Sequence, residues 1–147
     1  MKNAFESIYN QLAELKTRYK AAKAANDTEG MKQIRMESNT LDESIQAKGA
    51  EFANIYDMYE SARERGNEYI DISECYEYRD IPALLASFRK FEISAFTFSS
   101  RWSSAVEAAW QFMQNGCTMN GMVEISSKNT TWNGDGYEKC PAFLFNV

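Results

Sequence analysis

Apolar residues recur with helical spacing through the first part of the chain. Between residues 3 and 25 they alternate at steps of three and four, which predicts one helix with a single apolar seam. The seam consists of Phe5, Ile8, Leu12, Leu15, Tyr19 and Ala22. Turn-forming residues at 26–30 end this pattern, and a second helical stripe follows near 31–64. Two helices joined by a short turn predict an antiparallel hairpin over residues 1–65.

The second stripe is longer than the first and is expected to form one uninterrupted helix. Its last turns, from Phe52 onward, extend beyond the first helix and are therefore expected to cover the domain that follows Gly66. The same surplus length leaves a face through which two copies of the chain could dimerise. The alternative function of the hairpin is therefore that of an assembly module.

From residue 67 the pattern changes to short strand-like runs that alternate with helical segments. Strands are predicted at 68–73, 93–99, 122–126 and 142–147, helices near 81–91 and 104–114, and a loop at 127–140. Asp80 is the expected N-cap of the first of these helices. The second is expected to bury Val106, Ala109, Trp110 and Met113. This order predicts an α+β or α/β domain over 66–147, with three or four strands covered by helices.

Composition narrows the range of functions. The chain of 147 residues contains no histidine, which removes the commonest general base and most catalytic zinc sites. The three cysteines are far apart and form no metal-binding pair, so we expect reduced thiols in a cytoplasmic protein without metal or cofactor. The N-terminus does not resemble a signal peptide, and no apolar run is long enough to span a membrane.

The net negative charge is concentrated in the second domain. Residues 1–65 carry 10 basic and 11 acidic side chains, whereas residues 66–147 carry 6 and 10. The net charge of −5 argues against direct binding of nucleic acid, which usually requires a basic surface. A protein partner is the more plausible expectation.

One short segment collects acids and tyrosines at regular spacing. The acids recur every third residue: Glu68, Asp71, Glu74, Glu77 and Asp80. Tyr76 and Tyr78 lie between them, and tyrosine is favoured at protein interfaces. The segment is a candidate partner-binding surface that imitates a nucleic-acid strand. A solvated surface without function is the simpler alternative.

Two further aromatic residues are candidate contacts with a partner. Trp132 and Tyr137 lie in the polar stretch 128–137, where an exposed Trp would be a binding anchor. The alternative is that Trp132 folds back over the sheet. A third hypothesis is a metal-dependent hydrolase that uses Glu124 with Lys128 nearby, although the spacing differs from that of the usual nuclease motif. No catalytic residue is predicted on firmer grounds.

The stretch from Glu64 to Ile125 resembles a family of small proteins encoded on phages and mobile elements of gut Firmicutes. The resemblance rests on EYIDIS at 68–73, RDIPALL at 79–85 and FTFSSRWS at 96–103. Small acidic proteins of that genetic setting are similar in type to anti-CRISPR proteins, notably inhibitors of Cas9. The resemblance implies a non-enzymatic inhibitor in the bacterial cytoplasm that blocks a defence nuclease with its acidic surface.

Overall fold

The computed structural model describes residues 4–73 and 80–147. Its contacts divide the chain into two compact units, residues 1–56 and 57–147. Helices come first and a mixed sheet follows, so the predicted α+β class is confirmed. The candidates Glu74, Tyr76, Glu77 and Tyr78 lie outside the described residues.

The first unit contains the predicted antiparallel hairpin, formed by α1 (Ala4–Ala24) and α2 (Thr28–Ala47). Arg18 forms an ion pair with Glu37 at 2.7 Å, and the Arg35 guanidinium donates to the Tyr19 hydroxyl at 2.7 Å. As the residue number increases along α1, the number of its partner on α2 decreases, so the two helices are antiparallel. Asp27 caps α2 by accepting a hydrogen bond from the Gly30 amide.

The predicted second helix is in fact two helices, α2 and α3 (Ala50–Glu64). The helix is interrupted at Lys48–Gly49, where Gly49 has a φ of +102°, a backbone angle that residues other than glycine rarely adopt. Phe52 stacks on Phe5 of α1 at 4.8 Å between ring centroids. Phe52 therefore packs within the first unit, at the start of α1, whereas residues 57–64 of α3 belong to the second unit.

The second unit is built on a four-stranded sheet in the order β1-β2-β4-β3. Its strands are β1 (Ile70–Ile72), β2 (Ala95–Phe98), β3 (Thr118–Thr130) and β4 (Tyr137–Asn146). Strands β1 and β2 are parallel and are connected through α4 (Ile81–Lys90), whereas β4 is antiparallel to both of its neighbours. Helix α5 (Ala105–Gln114) connects β2 to the edge strand β3.

Aromatic rings form the core between the sheet and its two connecting helices. Phe96 of β2 is fully buried and lies 5.4 Å from Phe88 of α4 and 5.0 Å from Phe112 of α5, measured between ring centroids. Phe145 of β4 stacks on Phe96 at 5.4 Å. The face of β2 that carries Phe96 therefore holds α4 and α5 in place.

Strands β3 and β4 form a much longer hairpin than predicted. The expected loop at 127–140 is limited to residues 131–136, because polar residues on either side of it continue the antiparallel ladder. A bulge between Met119 and Met122 also lengthens β3. Residues 127–130 belong to β3 but are polar and mostly exposed, so in the sequence they resemble a loop.

Candidate functional site

The three acids of the acidic segment that the structure describes do not form one exposed surface. Glu68 and Asp80 are exposed, but Asp71 is only 6% exposed and lies in the middle of β1. Asp80 occupies the N-cap position of α4 as predicted, although its side chain makes no capping hydrogen bond. In β1, Asp71 faces the buried Thr97 of the neighbouring strand rather than solvent, so it does not share an exposed side with Glu68 and Asp80. Asp71 is therefore removed from the proposed partner surface.

Asp71 is instead the acceptor of a buried hydrogen-bond cluster. The Thr97 hydroxyl donates to its Oδ1 at 2.7 Å, and the Ser99 hydroxyl donates to its Oδ2 at 2.8 Å. The register explains this contact, because Asp71 and Thr97 are paired residues of the parallel strands β1 and β2. The cluster lies on the face of the sheet opposite to the aromatic core.

The ionisation of Asp71 is governed mainly by burial. Burial raises the pKa of its carboxyl above the ordinary value, since a charge in a poorly solvated site is unfavourable. The hydrogen bonds from Thr97 and Ser99 oppose this rise, and the positive charges of Arg65 and Lys128 oppose it further. The site therefore holds an acid beside two cations.

The cysteines that the structure describes are not placed for nucleophilic chemistry. Cys117 and Cys140 are free and buried. Burial raises the pKa of both thiols, so they remain protonated at neutral pH. In residues 4–73 and 80–147, no group of three or more carboxylate or thiol side chains lies close enough together to hold a metal ion. Glu124, the candidate of the hydrolase hypothesis, is exposed on the edge strand β3.

Large apolar side chains are exposed along α5 and the turn before it. We call this set the α5 aromatic surface, and it comprises Trp102 (60% exposed), Val106 (79%), Trp110 (52%) and Met113 (48%). The spacing of Val106, Trp110 and Met113 places these three along one side of α5, and Trp102 lies in the turn before the helix. The opposite side carries Ala108, Ala109 and Phe112, which are buried.

This arrangement corrects the predicted orientation of α5. Val106, Trp110 and Met113 were expected in the core, but only Ala109 of the predicted face is buried. The helix has apolar residues around most of its circumference, so periodicity alone could not select the buried side. The position of Phe112 decides it, because this ring contacts three rings of the sheet. Because α5 carries apolar residues on two sides and only one side can pack on the sheet, the sequence does contain a signal that one apolar side is exposed.

Trp132 lies at the tip of the β3–β4 hairpin and is 99% exposed. The turn around it is ordered by hydrogen bonds from the Gly134 amide to the Thr131 carbonyl and from the Thr131 amide to the Gly136 carbonyl. The alternative in which Trp132 folds back over the sheet is therefore wrong. Tyr137 is also exposed, at the start of β4. Trp132 thus joins Trp102 and Trp110, so that all three tryptophans of the chain are exposed.

Comparison with known families identifies the second part of the chain. A model of the family DUF7698, described as a domain of unknown function, matches residues 54–147, which is more than half of the chain. The chain belongs to the DUF7698 family. The matched region contains the entire sheet, the Asp71 cluster and the α5 aromatic surface, whereas α1 and α2 precede it. No curated protein and no solved structure matches the chain.

Among the helices that the structure describes, none combines the length and the apolar character needed to cross a membrane.

Proposed function

We propose that this DUF7698 protein is a non-enzymatic protein-binding module whose main contact is the α5 aromatic surface. The observation that supports the proposal is the exposure of Val106, Trp110 and Met113 along one side of α5 and of Trp102 in the turn before it. Scattered exposed apolar residues are common, but contiguous ones of this size mark interaction surfaces. Trp and Met are enriched in protein interfaces, and Trp in particular provides much of their binding energy.

The net negative charge of residues 66–147 favours a basic partner. Residues 66–147 carry 10 acidic and 6 basic side chains, and charge complementarity accelerates association and excludes partners of like charge. A second copy of this acidic chain is disfavoured for the same reason. Proteins that hold nucleic acid present basic channels, so a nuclease of bacterial defence, such as Cas9, is the partner class that we propose. The bacterial cytoplasm is the corresponding location.

The replacement of Trp110 by Ser tests the α5 aromatic surface. We expect at least about tenfold weaker binding to a guide-loaded Cas9 panel, because a central interface Trp commonly contributes about 2 kcal/mol or more. Binding is measured by calorimetry and by co-elution on a sizing column. Met36→Ser is the matched control, since Met36 is an equally exposed apolar residue in the first unit.

The results of these binding experiments test the α5 aromatic surface and the proposed class of partner independently. If a panel member binds and both Trp102→Ser and Trp110→Ser bind it as tightly as the wild type, the α5 aromatic surface is not the contact. Trp132→Ser then shows whether the hairpin tip is the anchor instead. If no panel member binds and the protein elutes as a dimer, the function is self-assembly, and the nuclease-inhibitor proposal is rejected.

The acidic segment is tested by charge reversal. The double change Glu74→Lys and Glu77→Lys is expected to abolish inhibition of DNA cleavage, because carboxylates that compete with DNA phosphates would be replaced by repelling charges. Inhibition by the wild type should also weaken as salt rises. Glu29→Lys with Glu43→Lys changes the net charge equally on exposed positions of α2 and serves as the control. Unaltered inhibition by the first double variant would show that the segment does not imitate nucleic acid.

A further inference from the structure

A pocket of about 360 Å³ lies beside the Asp71 cluster, within the second unit. The last turns of α3 form one side of it, and the end of β1 forms the other. Its wall includes Arg65, Asp71, Ser73 and Lys128. Pockets that bind small molecules begin at about 300 Å³, so this one can accommodate a small metabolite.

Arg65 is the central residue of this pocket. It is only 8% exposed, and its Nε and Nη1 atoms have no hydrogen-bond partner among the described residues. The Ser73 hydroxyl oxygen is buried and equally without a partner there. A buried cationic donor that lacks an acceptor is costly, and native structures usually satisfy such groups. A ligand that supplies acceptor oxygens would remove this cost.

A second, smaller pocket of about 190 Å³ shares Ser73 and Lys128 with the first. It adds Arg101 and the hydroxyl groups of Ser99 and Ser127 to the wall. Three cationic side chains therefore line the two pockets together, against the carboxylates of Asp57 and Asp71. Arg101 forms an ion pair with Glu138 at 3.7 Å, so Arg65, with two donors that lack an acceptor among the described residues, is the cation best placed to engage a ligand.

The topology places these groups where α/β proteins commonly bind ligands. Ser73 follows β1 and Ser99 follows β2, so both are at the carboxyl ends of the two parallel strands. The crevice outside the carboxyl ends of parallel strands is the usual ligand site in such sheets. The orphaned Arg65 donors and the strand ends are independent observations that indicate the same location.

We propose that this pocket binds a small ligand through its phosphate group, with Arg65 as the buried anchor and Lys128 at the entrance. Arginine is well suited to this role because its charge is permanent and its donors are fixed in one plane. The Ser73 hydroxyl, whose oxygen lacks a partner among the described residues, borders the same space and can donate to one of the remaining oxygens. The Ser99 hydroxyl is not available for this role, because it already donates its proton to Asp71. The proposal does not depend on a protein partner for α5, and either can fail without the other.

Inorganic phosphate is the probe for this site, titrated at constant ionic strength and followed by amide chemical shifts. We expect saturable shifts at Arg65, Ser73 and Lys128. Arg65→Gln should weaken phosphate binding by about 10- to 100-fold, since a hydrogen bond to a charged group is worth about 1.5–3 kcal/mol. Acetate is titrated at equal concentration as a second probe. A site for phosphate should respond to phosphate alone, whereas equal shifts with both anions would show general anion binding and would overturn the proposal.

Lys128→Met provides a second test in case Arg65→Gln does not fold. Lys128 is exposed, so its replacement is not expected to disturb the fold. It should weaken binding by about 3- to 10-fold, whereas Lys32→Met, an equal loss of charge on α2, should have no effect. The absence of saturable phosphate shifts in the wild type would overturn the proposal. Shifts that are the same in the wild type and in Lys128→Met would overturn it as well.

Discussion

Replacement of Phe112 by Ala is expected to lower the free energy of unfolding of the second unit by about 3–5 kcal/mol. Phe112 is fully buried in α5, and its ring centroid lies 5.0 Å from that of Phe96, 5.3 Å from that of Phe98 and 5.4 Å from that of Phe145. Removal of the ring leaves a cavity that these rigid neighbours cannot fill. The loss also removes aromatic contacts worth about 0.5–1.5 kcal/mol each beyond the burial of area.

The matched control for this prediction lies two residues away on the same helix. Trp110→Ala removes a larger ring, but Trp110 is 52% exposed, so we expect a loss of only about 1 kcal/mol or less. Urea unfolding followed by far-ultraviolet circular dichroism measures both variants. If Trp110→Ala were as destabilising as Phe112→Ala, the assigned orientation of α5 would be wrong, and the α5 aromatic surface would be part of the core.

The helical hairpin was predictable because its signal is local and repeated. The buried residues Phe5, Ile8, Leu12 and Leu15 are those of the predicted seam. The break at Gly49 was missed because the apolar stripe continues across it. A glycine inside a helical pattern is often tolerated, and only its positive φ shows that the helix ends there.

The candidate site was less predictable because it depends on contacts between distant residues. The pairing of Asp71 with Thr97 follows from the register of two parallel strands, which the sequence does not specify. Regular spacing of acids suggested one charged surface, whereas the strand places Asp71 inside the sheet. The exposure of Trp110 likewise follows from the burial of Phe112 by residues 96, 98 and 145.

Replacement of Asp71 by Ala is expected to destabilise the second unit by about 2–4 kcal/mol. The change leaves the hydroxyl of the fully buried Thr97 without the acceptor that it now has at 2.7 Å. It also leaves the Ser99 hydroxyl without the acceptor that it now has at 2.8 Å. Asp71→Asn is the matched control, since its side-chain oxygen still accepts from Thr97 while the charge is lost. We expect Asp71→Asn to be clearly more stable than Asp71→Ala in urea unfolding at neutral pH.

The pH dependence of the same variants tests whether burial dominates the ionisation of Asp71. Because burial raises the pKa of this carboxyl in the folded state, the folded protein binds the proton more tightly than the unfolded chain. The contribution of Asp71 to wild-type stability is therefore greatest below the unfolded pKa of about 3.9, and it is lost as pH rises through the folded value. Asp71→Asn has no such loss, so its stability relative to the wild type should increase with pH across this window and then become constant. If its relative stability instead decreased with pH, the charges of Arg65 and Lys128 and the two hydroxyl hydrogen bonds would outweigh burial, and the carboxyl would be held ionised.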